Sequence, residues 1–331
     1  MKKVILFLVL VAININTAFT QTTESAFQFT FFPPVGTQGT QSAQYSNKIS
    51  INALAGISQN ERCFTLGGLA NIVKNDVSGF QLAGVSNVIG NNARGFQLAG
   101  VSNTIGNDGK GLLLSGVLNT SQEYKGTQIT GLANIAGNIN GVQIAGLFNK
   151  AKDVKGVQIA GLLNIAENSD YPIGLINIIK NGEMGIGISY NEIGSAVLSF
   201  RSGGRVMYGI IGMGYNHKSV SDESFVFEAG IGAHINCSPA FRINTEIKTQ
   251  DISLFREKEV SQQSLAILPA LKLGSNFEIF AGPTVNYLTS DDLSNEKLFP
   301  ENTGINIWKS FGSSRLEQVY VGFSAGIQVL F

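Results

Sequence analysis

The feature that most constrains this chain is a short tandem repeat between Cys63 and Ala166. Asn71, Asn87, Asn103, Asn119, Asn134, Asn149 and Asn164 each close a unit like G-φ-Q-φ-A-G-φ-x-N, at intervals of 16, 16, 16, 15, 15 and 15 residues. Such a period governs the fold, because each unit is one structural element that buries its faces against its neighbours. In the unit at 156–166, Val157, Ile159, Gly161, Leu163 and Ile165 alternate with Gln158, Ala160, Leu162, Asn164 and Ala166. A period of two predicts a strand with two unlike faces.

The unit reads alike in both directions about Gly161, with Gln158 and Asn164 three residues away and Val157 and Ile165 four. Antiparallel neighbours centred on glycine would set Gln against Asn, a pair able to hydrogen-bond across strands. Eleven residues at about 3.3 Å each, tilted by about 40°, span about 28 Å, close to the ~25 Å apolar band of outer-membrane barrels. One repeat is therefore expected to form one membrane-crossing strand. The rival expectation is a β-solenoid with one coil per repeat, in which Asn and Gly stack as ladders.

The first residues, MKKVILFLVLVAININTAFTQ, combine two lysines, an apolar run and small residues before Gln21. This predicts a secretory signal peptide over 1–20, its apolar run too short for a spanning helix. Without Lys2 and Lys3 the chain carries 21 basic and 23 acidic residues, which gives no footprint for nucleic acid. The two cysteines, Cys63 and Cys237, have no informative spacing and are expected to be independent thiols.

Beyond Gly182 the period ends but alternation continues. Phe225, Phe227, Ala229, Ile231, Ala233 and Ile235 share one face, and Glu228, Gly230, Gly232, His234 and Asn236 the other. The final segment repeats the pattern from Val319 to Phe331. Counting segments predicts an all-β fold, an antiparallel transmembrane β-barrel of about 16 strands (14 to 18), forming one domain over 21–331. Within it, 63–166 are tandem repeats, 183–331 non-repeat barrel strands and 290–314 a long outer loop. A β-solenoid from the repeats with a smaller C-terminal barrel is the alternative.

The units GFQLAGVSN, GTQITGLAN, GVQIAGLFN and GVQIAGLLN, with the tail VYVGFSAGIQVLF, resemble outer-membrane β-barrel proteins of Gram-negative bacteria. More specifically, they resemble a family of repeat-containing surface proteins with G-x-Q-x-A-G-L-x-N units. The resemblance implies an outer-membrane location, lipid and the barrel-assembly machinery as partners, and an assembly signal at Phe331. It implies no catalytic residue and no substrate.

The residues themselves point the same way. His217 and His234 are the only histidines, and the glycine clusters GEMGIG and GIIGMG lack the strand–turn–helix context of a dinucleotide site. The string Gly322-Phe323-Ser324-Ala325-Gly326 has the G-x-S-x-G spacing but lies within the alternating final segment and not in a strand–turn–helix elbow, so no catalytic residue, metal ligand or cofactor is assigned and an outer-membrane hydrolase is the least favoured reading. The polar faces are expected to line a barrel lumen: Gln81, Asn87, Gln97, Asn103, Gln128, Asn134, Gln143, Asn149, Gln158 and Asn164 in the repeats, and Glu228, His234, Arg242, Glu246, Lys248, Lys272 and Glu278 beyond them. Barrels of about 16 to 18 strands leave an aqueous channel, so the expected function is a non-enzymatic, weakly selective pore for small solutes, or a surface structural protein. The alternative is a surface-exposed solenoid that binds a partner.

Overall fold

The computed structural model describes residues 23–219, 224–252, 260–300, 305–312 and 315–331. The expected signal peptide lies outside the described residues. The chain is all-β and forms two bodies, an 18-stranded sheet built from the first half and a nine-stranded sheet from the second.

In the first body each repeat makes two strands rather than one. The unit around Asn164 runs as Asp153–Ala160, turns at Gly161 and Leu162, and resumes as Leu163–Ala166. Successive units stack parallel and in register, Gly141 on Gly156, Gln143 on Gln158 and Asn149 on Asn164. The repeats are therefore coils of a β-solenoid, which corrects the expectation of antiparallel crossing strands.

The physical reason lies at the turn. Ala160 and Asn164 both point inward, while Gly161, Leu162 and Leu163 lie on the outside, so alternation holds in each strand and breaks between them. Glycine is required there. A Cβ on Gly161 would stand 2.3 Å from the carbonyl oxygen of Gly146, and the same clash recurs down the column at Gly146, Gly131 and Gly116. Parallel stacking also pairs each residue with its own kind, which lets identical amides form ladders along the axis.

The first coil is closed at its free edge. Strand Thr23–Phe32 pairs in parallel with Tyr45–Asn52 on one side and with the short antiparallel strand Val35–Gly36 on the other. A 3-10 helix, Gly39–Gln44, follows. The antiparallel pairing covers the Phe29-to-Phe32 end of the edge strand, where unpaired backbone groups would otherwise recruit another strand.

The second body is a closed barrel of eight antiparallel strands: Glu183–Asn191, Ser195–Gly203, Met207–Asn216, Phe225–Asn236, Phe241–Ile252, Val260–Leu273, Phe277–Ser290 and Leu316–Leu330. The last strand pairs with the first, Gln328 on Gly187 and Ile327 on Ile188, which closes the sheet. The ninth strand, Ile305–Phe311, pairs with the outer half of the last strand beyond the reach of the first. The expected count of 14 to 18 barrel strands is thus corrected to eight, because the repeats supply coils and not barrel wall.

Short turns join the barrel strands at one end, over 204–206, 237–240 and 274–276. The strand ends Asn191, Ser195, Asn216, Phe225, Ile252, Val260, Ser290 and Leu316 gather at the other. The segment expected to be a long outer loop lies at that second end and carries a 3-10 helix, Leu293–Leu298, as well as the ninth strand.

Candidate functional surfaces of the barrel and the solenoid

Alternation inside the barrel strands sends one face inward and one outward. Glu228, His234, Arg242, Glu246, Lys248 and Glu278 all lie in the barrel interior, as their alternation implies. They hold one another as ion pairs: Lys248 reaches Glu228 at 3.1 Å, and Arg242 reaches Glu278 and Glu183 at 2.7 Å each. Lys272 stands at the short-turn rim, 2.8 Å from Glu183, beside His234.

Several members of this network were not assigned from the sequence. Arg201 meets Glu246 at 3.0 Å, and Tyr208 donates its hydroxyl to the same carboxylate at 3.0 Å. Glu192 accepts from Tyr320 at 2.6 Å, from Gln262 at 3.1 Å, from Asn286 at 3.2 Å and from the backbone N–H of Phe323 at 2.9 Å. A Cβ on Gly322 would lie 2.4 Å from that carboxyl carbon, so glycine leaves the space that Glu192 fills. The signal for Arg201 was present in the sequence, where Ser195, Val197, Ser199 and Arg201 share one face.

Toward the long-loop end the interior turns apolar. Leu298 and Phe299, carried in by the 291–315 connection, pack with Ile193, Val197, Val226, Ile252 and Leu288. Eight strands enclose a space just wide enough for side chains to fill, and here ion pairs fill one end and an apolar plug the other. The outward face is the reverse, with Ile186, Leu198, Met213, Ile247, Leu265, Ile279 and Ile327 exposed around the wall. Phe331 ends the chain at the short-turn rim, its N–H donating to the carbonyl of Met184 at 2.9 Å and its ring exposed.

The repeat residues expected in a lumen occupy the solenoid interior instead. From Asn71 to Asn164 each asparagine donates to Oδ1 of the next, the last reaching Asn177, at 2.8–3.0 Å. The same amides donate to a backbone carbonyl of the next coil at 2.6–3.0 Å, as Asn134 does to Ile144. Gln158 and Gln143 continue a parallel ladder to Gln128, at 3.0 and 2.8 Å. Leu113 stands in register between Gln97 and Gln128 and interrupts it, leaving the buried Gln81 and Gln97 outside the bonded run. Glu61 is buried in an early coil, where it accepts from Asn47 (3.2 Å), Ser50 (2.7 Å) and Thr65 (2.9 Å). Desolvation pushes its carboxyl above the usual carboxylate range against these hydrogen bonds.

The solenoid exterior is divided lengthwise. Along the glycine turn, Leu54, Leu69, Val85, Val101, Val117, Leu132, Leu147 and Leu162 form one exposed column. Phe64, Phe80, Leu66 and Leu98 extend the apolar surface over the adjoining face. The opposite turn is polar, with Asp76, Asn92, Asp108, Glu123, Asn138 and Asp153 following one another coil by coil. Beside that turn Arg94, Lys110, Lys125, Asn140 and Lys155 stack in register, exposed. No ion pair engages Arg94, Lys110, Lys125 or Lys155 among the described residues. These two columns line a groove of about 960 Å³ that runs along the axis as far as Asp170 and Arg205. Lys180, at 2.8 Å, holds the exposed Glu167 carboxyl on the same edge below its ordinary range.

The two bodies meet where the last coil rests on the barrel. Asn177 donates its N–H to Ser202 Oγ at 3.0 Å and its side-chain amide to the Ser202 carbonyl at 3.1 Å. Val206 donates its N–H to the carbonyl of Asp170 at 3.3 Å. Arg201 and Tyr208 point inward to Glu246, so their neighbours Ser202 and Gly209 point outward, and it is this outer surface that the coil covers.

Neither a family model, nor a curated protein, nor a solved structure matches the chain. The geometry carries the functional reading by itself.

Proposed function

We propose that this chain is an outer-membrane protein of a Gram-negative bacterium in which a small closed barrel anchors a β-solenoid. The observation that carries the reading is the inversion of the barrel: Ile247, Met213 and Leu265 outside, Glu246, Lys248 and Arg242 inside. In water such an outer face would be a large exposed apolar patch, whereas in lipid it is the ordinary outer surface of a spanning barrel. A closed barrel leaves no unpaired backbone edge in the hydrocarbon.

The filled interior supports an anchor rather than a solute pore. Outer-membrane barrels carry short periplasmic turns and longer outer loops, so the 204–206 end, with the solenoid beside it, is assigned to the periplasmic side. The solenoid then serves as a non-enzymatic binding or scaffolding surface, repeated along its axis. Lipid and the barrel-assembly machinery are its proposed partners, with Phe331 as the assembly signal.

Membrane fractionation followed by gel migration with and without boiling tests this reading. A closed spanning barrel gives an outer-membrane protein whose fast unboiled band slows on heating, and planar bilayers containing it stay silent. A soluble chain indifferent to boiling would overturn the anchor, and steady single-channel steps would overturn the filled interior.

A further inference from the structure

The junction fixes how the solenoid sits against the barrel. Coils stack at right angles to their strands, and the last coil lies flat on the outward side of the wall at Ser202 and Gly209. The stacking axis therefore leaves the barrel sideways. If the barrel spans a bilayer, the solenoid runs in the plane of that bilayer.

The same contacts orient the two edges of the solenoid. Ser169 and Asp170, on the polar edge, meet the turn residues Gly204 and Val206 at the barrel rim. Gly174 and Leu175, on the apolar edge, meet Gly209, which lies further along the wall toward its middle; a Cβ there would stand 2.0 Å from the Gly174 carbonyl. The polar edge is thus level with the rim, and the apolar edge points toward the apolar belt. On the barrel wall the contact from Val206 to Gly209 covers three residues, about 10 Å of strand or about 8 Å along a barrel axis tilted by about 40°, which is about a third of the ~25 Å band.

We propose that the solenoid is half-sunk in the leaflet on the short-turn side of the barrel. The Leu/Val column of the glycine turn lies among acyl chains, and Arg94, Lys110, Lys125 and Lys155 lie at the depth of the headgroup phosphates. The proposal rests on the reading of the barrel as membrane-spanning. Two features fit a phospholipid leaflet better than a protein partner. The apolar column continues the belt of the barrel it is docked on. At the opposite, polar turn the cations Arg94, Lys110, Lys125 and Lys155, which make no ion pair among the described residues and stand beside the Asp76-to-Asp153 column, are level with the rim where anionic phosphates would stand. Spaced by about 4.8 Å, the column from Leu54 to Leu162 would cover about 34 Å of one leaflet.

The experiment uses the full chain with both native thiols replaced (Cys63→Ser, Cys237→Ser), refolded into phosphatidylethanolamine and phosphatidylglycerol vesicles. A fluorophore is placed at one of four new cysteines: Val101→Cys or Leu132→Cys on the apolar edge, Gln122→Cys on the polar edge, and Ile247→Cys on the barrel wall. All four sites are exposed, so labelling leaves the core intact. The labels at 101, 132 and 247 should lose emission to nitroxide-bearing acyl chains and keep it in iodide present on both sides, with the reverse at 122. Iodide quenching at 101 and 132 with lipid quenching retained at 247 would overturn the half-sunk solenoid alone. Iodide quenching at 247 as well would overturn the membrane barrel and the proposal with it.

Discussion

The Asn177 side-chain amide donates to the backbone carbonyl of Ser202 at 3.1 Å, joining the last coil of the solenoid to the outer wall of the barrel. Asn177 is also the final member of the asparagine ladder, accepting from Asn164 at 2.8 Å. The amide column that runs through the repeats therefore ends on the barrel, and the wall acts as the cap that a solenoid needs at its open end.

Gly209→Val should separate the two bodies without opening the barrel. Its side chain would meet the Gly174 carbonyl, and overpacking of this kind costs about 1–3 kcal/mol. The heat-modifiable band should persist while the repeat region becomes sensitive to limited proteolysis. Unchanged protection would mean that the junction contacts do not hold the coil.

Asn134→Ala should cost several kcal/mol. It removes the bonds to Asn149 Oδ1 and the Ile144 carbonyl and leaves the Asn119 amide without its 3.0 Å acceptor, each buried orphan being worth about 1–3 kcal/mol. Gln128→Leu should be milder, because Leu113 already occupies that column one coil earlier and the change orphans one buried donor, the Gln143 amide that Gln128 accepts from at 2.8 Å, besides removing the bond to Ser121 Oγ. Denaturant unfolding of the two variants side by side measures the difference.

The two faces of the repeat differ less than alternation alone implies. Read as a lipid-facing strand, Gly161→Asp would be harmful and Ala160→Asp tolerated better. In the solenoid both are harmful: Ala160 is 4% exposed in the core, and any Cβ at Gly161 strikes the Gly146 carbonyl. Gly161→Ala should already lower the unfolding midpoint, and an unaffected midpoint would contradict the stacked coil.

Glu61 gives the solenoid a pH dependence of definite sign. Its folded pKa is raised by burial above the unfolded value near 4.5, so the folded state binds the proton more tightly. Stability is therefore greatest below that value and declines as pH rises through the window up to the folded pKa. Glu61→Gln, which keeps an acceptor and carries no charge, should remove this slope from unfolding measured between acid and neutral pH.

Much of this was legible in the residues. Alternation put Gln158 and Asn164 on one face and Glu228, Arg242, Glu246 and Lys248 on another, and the structure buries both sets, the first in the solenoid and not in the expected lumen. The near-mirror symmetry of the unit about Gly161 concealed the turn, since a strand continuing through glycine and one folding back there share the same parity. Strand number went astray for that reason: each repeat held two short strands of a coil in place of one long crossing. Glu192 was missed because it lies just past the strand Glu183–Asn191, where no alternation is left to read, whereas Arg201 shares a face with Ser195, Val197 and Ser199 and was legible but not assigned.

By itself the sequence determined that the chain is β, that it repeats every 15 or 16 residues, and which side chains are polar-in and apolar-out in each half. Those properties follow from period and chemistry, which are local. Only the tertiary structure decided that the repeats stack in parallel, that eight strands close the barrel, and that the solenoid lies against its outer wall. Those outcomes depend on which residues meet across the chain, and the asparagine at each coil is satisfied only when an identical neighbour arrives one coil away.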